Sequence, residues 1–145
     1  MDNFTRDVQV RWADLDPNFH LRHSVYYDWG AFCRVEFLNE LGLTDKMMQQ
    51  FQIGPILFRE ECVFKKEIRL NDKVNIDLKL ISAKRDFSRF SVQHIIRKNV
   101  DKLSAVLTVD IAWIDVVKRK LAILPEDVRE LLNQSPMAEN FQWLD

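Results

Sequence analysis

Polar and apolar residues alternate from Phe4 to Trp12, and Val8, Val10 and Trp12 share one face. That period of two predicts a half-buried strand. A cluster of turn formers follows, Asp14-Leu15-Asp16-Pro17-Asn18. Pro17 has no amide hydrogen and biases Asp16 toward extended geometry. Over 24–41 the period becomes helical: Val25, Tyr26, Trp29, Phe32, Cys33, Phe37 and Leu41 recur near helical spacing. Tyr27, Ala31, Val35 and Leu38 widen the apolar surface past a single stripe, and a helix apolar on most sides is normally buried. Ser24 suits the N-cap and Gly42 a left-handed C-cap followed by apolar Leu43. Thr44 then caps a short second helix over 45–51.

Beyond Gly54-Pro55 the pattern predicts strands near 56–68, 73–82, 87–98 and 103–116. Val74, Ile76, Leu78 and Leu80 alternate with polar residues, as do Leu107, Val109, Ile111 and Trp113 with their neighbours. The connections at 70–72 and 99–101 suit hairpins, although neither contains glycine. Pro125 opens a last helix over 126–133. One strand, one long apolar helix and a meander of four strands imply an α+β class, with a curved antiparallel five-stranded sheet wrapped around the central helix. Residues 1–133 read as one domain. The stretch 134–145 reads as a polar C-terminal tail with scattered Phe141, Trp143 and Leu144, open between packing on a neighbour and disorder.

Composition narrows the function. The chain has 145 residues, 47% hydrophobic and 30% charged, an ordinary globular balance with room for one domain. A formal net charge of -1 gives no global basic excess for neutralising nucleic-acid phosphates, so no nucleic-acid partner is expected. No apolar run approaches the roughly 20 residues that span a bilayer, and no membrane partner is expected. The start, Met1-Asp2-Asn3-Phe4, lacks the basic and apolar regions of a signal peptide. Cys33 and Cys62 form no CxxC pair and have no histidines at metal spacing. They read as reduced core thiols, with a cytoplasmic location and no metal.

The segment Val10-Arg11-Trp12-Ala13-Asp14-Leu15-Asp16-Pro17-Asn18-Phe19-His20-Leu21 resembles the signature of the 4-hydroxybenzoyl-CoA thioesterase family, a strand with an aromatic, a D-x-D, then a short loop into a helix. Ser24-Val25-Tyr26-Tyr27 is similar to that family's helix start and Leu38-Asn39-Glu40-Leu41-Gly42-Leu43 to its helix end. Lys118-Arg119-Lys120-Leu121-Ala122-Ile123-Leu124-Pro125-Glu126 resembles its basic exit from the last strand. The resemblance covers nearly the whole chain. It implies a hotdog fold, a homodimer or homotetramer whose dimers join sheets edge to edge, and active sites at the subunit interface. It also implies an acyl or aroyl thioester of coenzyme A or acyl carrier protein as substrate, with no metal and no cofactor.

Thioester hydrolysis needs a carboxylate to activate water or attack the carbonyl, and donors for the charge that develops on the carbonyl oxygen. A D-x-D loop running into a helix start offers both, because the first helical amides are unpaired at the positive end of the dipole. By resemblance Asp16 is the catalytic carboxylate, as base or nucleophile, and the amides of His23 and Ser24 are the oxyanion donors. Asp14 is read as structural. The plainer alternative is that both aspartates only build the turn. His20 occupies the family's loop histidine position, open between orienting the carboxylate or substrate and binding loop backbone. Asp28 and Glu36 match branches that carry the carboxylate on the helix. Phe19 stands where the family often has glycine, and Arg22 where asparagine is common. His94 reads as structural.

Coenzyme A carries phosphates, so a basic patch is expected near the pocket mouth. Lys118, Arg119 and Lys120 are candidates, as are Arg85 with Arg89, and Arg59 with Lys65 and Lys66. Each is equally a solvated strand edge. Phe19, Tyr26, Tyr27 and Phe58 are candidates for the substrate pocket, although aromatics at helical spacing are commonly core. Three functions fit: an acyl-CoA thioesterase, a noncatalytic acyl-thioester-binding module, or a dehydratase built on His20 or His23.

Overall fold

Val74, Ile76, Leu78 and Leu80 point to one face, and each is at most 4% exposed. That face, with its counterparts Leu107, Val109, Ile111 and Trp113, forms the inner wall of a curled sheet against which the long helix lies. The computed structural model describes residues 1–145. In chain order it has β1 (Thr5–Val8), a 3-10 turn (Trp12–Asp14), α1 (His23–Leu41), α2 (Asp45–Phe51), β2 (Ile53–Phe64), β3 (Val74–Asp77), β4 (Lys79–Ala83), β5 (Arg89–Lys98), β6 (Lys102–Asp115), β7 (Lys120–Leu121), α3 (Glu126–Leu132) and β8 (Met137–Trp143). The expected α+β hotdog arrangement is present, and no helix is long and apolar enough to cross a membrane.

The sheet runs β1, β3, β5, β6, β2, with every one of those pairs antiparallel. β4 continues β3 along the same edge of β5. The single strand expected over 73–82 is thus two, interrupted at Leu78, whose amide turns aside to the Phe4 carbonyl at 3.1 Å. The Asp77 carboxylate fills the gap, accepting from the Ile95 amide at 2.7 Å and from Arg97 at 3.2 Å. The break lets one strand change neighbours: β3 pairs with β1, and β4 pairs in parallel with β8.

Three expectations change. The 134–145 stretch is not a free tail, since 137–143 form β8 against β4, with Arg85 over the Trp143 ring at 5.0 Å and bonded to Asp145. Trp12 does not share a buried strand face with Val10: β1 ends at Val8 and Trp12 is 69% exposed in the 3-10 turn. Finally, α1 is buried along one stripe only, Val25, Tyr26, Trp29, Gly30, Cys33, Phe37 and Leu41. Its outer face leaves Phe32 and Val35 open to solvent, because a sheet wraps one side of a helix and nothing in the chain covers the other. Gly30 lets α1 lie tight on β6, where a Cβ would overlap the Leu107 side chain.

Candidate active site

The D-x-D loop is held by its own polar groups. Asp14 is 2% exposed, and its carboxylate accepts from the Arg11 amide at 2.9 Å and the Arg11 guanidinium at 2.7 Å. Those hydrogen bonds hold its carboxyl below the usual carboxylate range. It is structural, as expected. Asp16 does two things at once. Oδ1 accepts from the amides of Asn18 at 2.8 Å and His20 at 3.1 Å, which builds the turn. Oδ2 has no hydrogen-bond partner in the protein, and Asp16 lines an open cleft of about 300 Å³. The turn-building alternative accounts for one oxygen and leaves the other unpaired.

The same cleft brings together His20, Leu21, His23, Tyr26, Phe64, Lys65, Lys66 and Glu67. The sequence pointed to His20, His23 and Tyr26, and to Lys65 and Lys66 as one of several basic groups. Leu21, Phe64 and Glu67 were missed, because only folding sets the end of β2 beside the loop. His20 Nε2 lies 3.3 Å from the Glu67 carboxylate, which Arg69 also holds at 2.9 Å. Tyr26 packs edge-on against Phe64 with ring centroids 5.0 Å apart, and burial raises its phenol.

Arg22, and not Ser24, occupies the N-cap position of α1. Its guanidinium donates to the Ala13 carbonyl at 2.8 Å and to Ser24 Oγ at 2.9 Å, tying the loop to the helix start. Ser24 Oγ therefore accepts from Arg22 and caps no amide. The Arg22 amide bonds Asp14 and the Val25 amide bonds Arg22, which leaves the amides of His23 and Ser24 between them without a protein acceptor. Phe19 takes φ of 64°, the left-handed geometry for which glycine is ordinarily used, at a cost of about 1–2 kcal/mol. The loop keeps the glycine path, and the Phe19 ring sits outside the cleft, 62% exposed and 6.3 Å from Trp12.

Other candidates lie elsewhere. Tyr27 packs beside Cys62, and Phe58 lies under Arg89 at 5.2 Å. Lys118, Arg119 and Lys120 form the turn into β7 beside Asp115, whose carboxylate accepts from the Val117 and Lys118 amides at 2.9 Å. Asp115 pairs with Ile53 at the start of β2, whereas the cleft adjoins Phe64 at its end. The length of β2, roughly 35 Å at 3.3 Å per residue, separates the basic run from Asp16 within one chain. Asp28 and Glu36 on α1 do not reach the cleft; Glu36 pairs with Arg6 at 3.8 Å. His94 is fully buried and structural, as expected.

The model of the thioesterase-like superfamily matches residues 10–132. No curated protein matches the chain by sequence. Among solved structures, the hypothetical protein SAV2348 from Staphylococcus aureus, solved in complex with CoA, is 17% identical with a TM-score of 0.87, over 97% of this chain and 90% of that one. The Synechocystis 1,4-dihydroxy-2-naphthoyl-CoA thioesterase is 19% identical with a TM-score of 0.80, over 91% and 96%. The Staphylococcus aureus DHNA-CoA thioesterase is 19% identical with a TM-score of 0.82, over 92% and 91%.

Proposed function

Since the chain belongs to the thioesterase-like superfamily, we propose that it hydrolyses the thioester of an acyl- or aroyl-coenzyme A, or of acyl carrier protein, with Asp16 as the reacting carboxylate. The observation that carries this reading is that Asp16, with an uncommitted Oδ2, and His23, with an unpartnered amide, line one cleft, the unpartnered Ser24 amide following next in the chain. In the general-base form, Asp16 takes a proton as water adds to the carbonyl carbon. The resulting oxyanion accepts from the two amides at the start of α1, where the dipole is positive. Collapse breaks the C–S bond, and the departing thiolate takes up a proton. In the nucleophile form, Asp16 adds to the carbonyl carbon, the C–S bond breaks to release the thiolate, which takes up a proton, and water cleaves the resulting anhydride to the acid and free Asp16. His20, held by Glu67, orients the loop.

A homodimer completes this site. β2 is a 12-residue strand with β6 on one side only. It carries exposed Ile56, Leu57, Phe58, Val63 and Phe64, an edge of the kind that pairs with another copy. Antiparallel pairing about a two-fold axis near the middle of β2 sets the Phe64 end of one protomer against the Pro55 end of its partner. The partner's Lys118–Lys120 turn then approaches the Asp16 cleft, joining Lys65 and Lys66 as a phosphate site. Phe58, absent from the cleft lining within one chain, comes to lie along the joined sheets, and Tyr27 on α1 packs beside Cys62, toward the cleft end of the same strand.

The test is thiol release from a panel of acyl- and aroyl-CoAs by wild type and Asp16→Asn. The expected result is a loss of about 100-fold or more in kcat/KM for the variant. Equal rates overturn the role of Asp16, and binding of coenzyme A thioesters with no turnover by wild type establishes the noncatalytic module instead.

A further inference from the structure

Between the far half of α1 and the sheet lies a mostly apolar recess of about 200 Å³. Ala31, Val35, Pro55 and Leu57 form its exposed rim, with Leu38 and Phe90 further in. The polar side chains of its wall are already taken. Arg34 pairs with Glu60 at 3.5 Å and contacts His94 Nε2 at 3.1 Å, and the Ser135 hydroxyl donates to the Leu132 carbonyl at 2.6 Å. The Trp113 indole nitrogen is closed off within the core and reaches no space that a ligand enters. A hydrocarbon group gives up no hydrogen bond on entering, whereas an oxygen brought in with it leaves water and gains no partner. The Asp16 cleft has the opposite character. Asp16, His20, His23, Lys65, Lys66 and Glu67 line it, and they offer a hydrocarbon tail little to pack against.

We propose that this recess receives the acyl tail of the thioester, and that it takes plain hydrocarbon tails in preference to tails carrying oxygen or charge. The inference rests on the thioesterase reading above and adds the substrate class. Size sets the first limit. A cavity of about 150 Å³ holds benzene, so this one takes a single ring or a straight chain of about six carbons. The committed wall sets the second. With no donor or acceptor left to meet it, a hydroxyl or carboxylate on the tail is buried bare, and an apolar pocket of this kind rejects an added hydroxyl by about tenfold or more.

Reach decides which protomer supplies the recess. Leu57 lines the recess and Phe64 lines the Asp16 cleft, and along β2 these lie roughly 23 Å apart. A six-carbon tail does not span that distance within one chain. Both residues face α1, Leu57 across the recess and Phe64 against the Tyr26 ring. Antiparallel pairing of the β2 edges about a two-fold axis normal to the sheet keeps the two α1 helices on one side and sets the Phe64 end of one protomer at the Leu57 end of its partner. Asp16 of one copy thus works with the recess of the other.

Three thioesters of one chain length test the selection: hexanoyl-CoA, 6-hydroxyhexanoyl-CoA and adipoyl-CoA. Wild type is expected to favour hexanoyl-CoA over each of the others by about tenfold or more in kcat/KM. Equal rates, or a preference for the hydroxyl or carboxylate tail, overturn the selection even where Asp16-dependent hydrolysis stands. Ala31→Leu narrows the rim from an exposed helix position. It is expected to lower hexanoyl-CoA turnover at least tenfold more than acetyl-CoA turnover, and an unmoved hexanoyl-to-acetyl ratio overturns the recess as the site of the tail. Binding is read separately, by NMR on the backbone amides of Ala31, Val35 and Leu57 in the wild-type protein. Ethylbenzene is expected to shift these signals, and 4-ethylphenol to require about tenfold higher concentration for the same shift. No shift with ethylbenzene, as when a partner's side chains already fill the recess, overturns it as a ligand site. A shift without hydrolysis of any thioester supports the ligand site and overturns the thioesterase reading alone. Co-assembled Asp16→Asn and Ala31→Leu chains are expected to regain the hexanoyl-CoA turnover that either homodimer lacks, and failure to regain it overturns the cross-protomer geometry.

Discussion

Asp14 and Asp16 are the same residue type two positions apart, yet Arg11 takes up the whole of one carboxylate while the other, in a cleft-lining residue, keeps one oxygen unpaired. The flanking pattern set Asp14 apart as structural and Asp16 as the candidate carboxylate, the division on which the proposed function rests. The committed Oδ1 of Asp16 was not legible there, because it depends on where the loop amides turn. His94 shows the same division. A histidine in a strand reads as structural, and the fold then sets its chemistry. Burial, with Arg34 alongside, pushes its imidazolium down to about 3. The neutral ring bridges the Asp77 carbonyl at 2.8 Å and Arg34 at 3.1 Å. The unfolded chain takes up this proton near pH 6.5, so the unfolded state binds more protons between about 6.5 and 3. The contribution is complete above about pH 6.5 and is lost as pH falls toward 3. His94→Gln removes the titration. Denaturant unfolding at pH 7 and pH 5 is expected to show the variant losing about 2 kcal/mol less on acidification than wild type. Equal losses would mean that His94 carries no such linkage.

Elements follow the periodicities closely where a local rule governs them. α1 ends at Gly42 with φ of 94°, and Thr44 accepts from the Met47 amide at 3.3 Å, as their residue types predict. The β5–β6 hairpin is different. Asn99 and Val100 take φ of 51° and 84°, the double left-handed geometry of a tight hairpin turn, without the glycine usually found there. Val100 is β-branched and 84% exposed, so it bears strain and gains no burial. Val100→Gly is expected to stabilise the protein by about 1 kcal/mol, the relief of strain exceeding the added unfolded-state entropy. Calorimetry should show Tm rising by about 2–4 °C, and a fall would show the turn to be unstrained. The break at Leu78 and the strand at 137–143 were not legible for a common reason. Both are set by which neighbour an edge meets, and no local pattern encodes that.

At the scale of the molecule, the features expected of the site divide between the two ends of β2. Asp16, His20, His23, Tyr26, Lys65 and Lys66 gather at the Phe64 end, while the Lys118–Lys120 run lies toward the other. The proposed dimer, joined along β2, would reunite them. Val63 is 42% exposed near the cleft end of that edge, and Val63→Asp is expected to weaken the dimer at least tenfold by burying an unpaired charge against the apolar Pro55 end of the partner's strand. Sedimentation equilibrium reads the shift, and activity should fall in step with dimer content. A monomeric wild type of full activity would refute the shared site.

The sequence by itself determined the helix with its caps, the alternating strands of the wrapped sheet, and a loop whose first aspartate is structural and whose second is the candidate for catalysis. These rest on interactions between residues near in the chain, where spacing alone fixes which side chains meet. Only the tertiary structure decided that Phe19 keeps the loop on a glycine path, that Phe64 and Glu67 complete the cleft, that the last strand closes against β4, and that the Trp113 indole is buried without a partner. Each depends on contact between segments far apart in sequence, and one chain's pattern carries no measure of those distances.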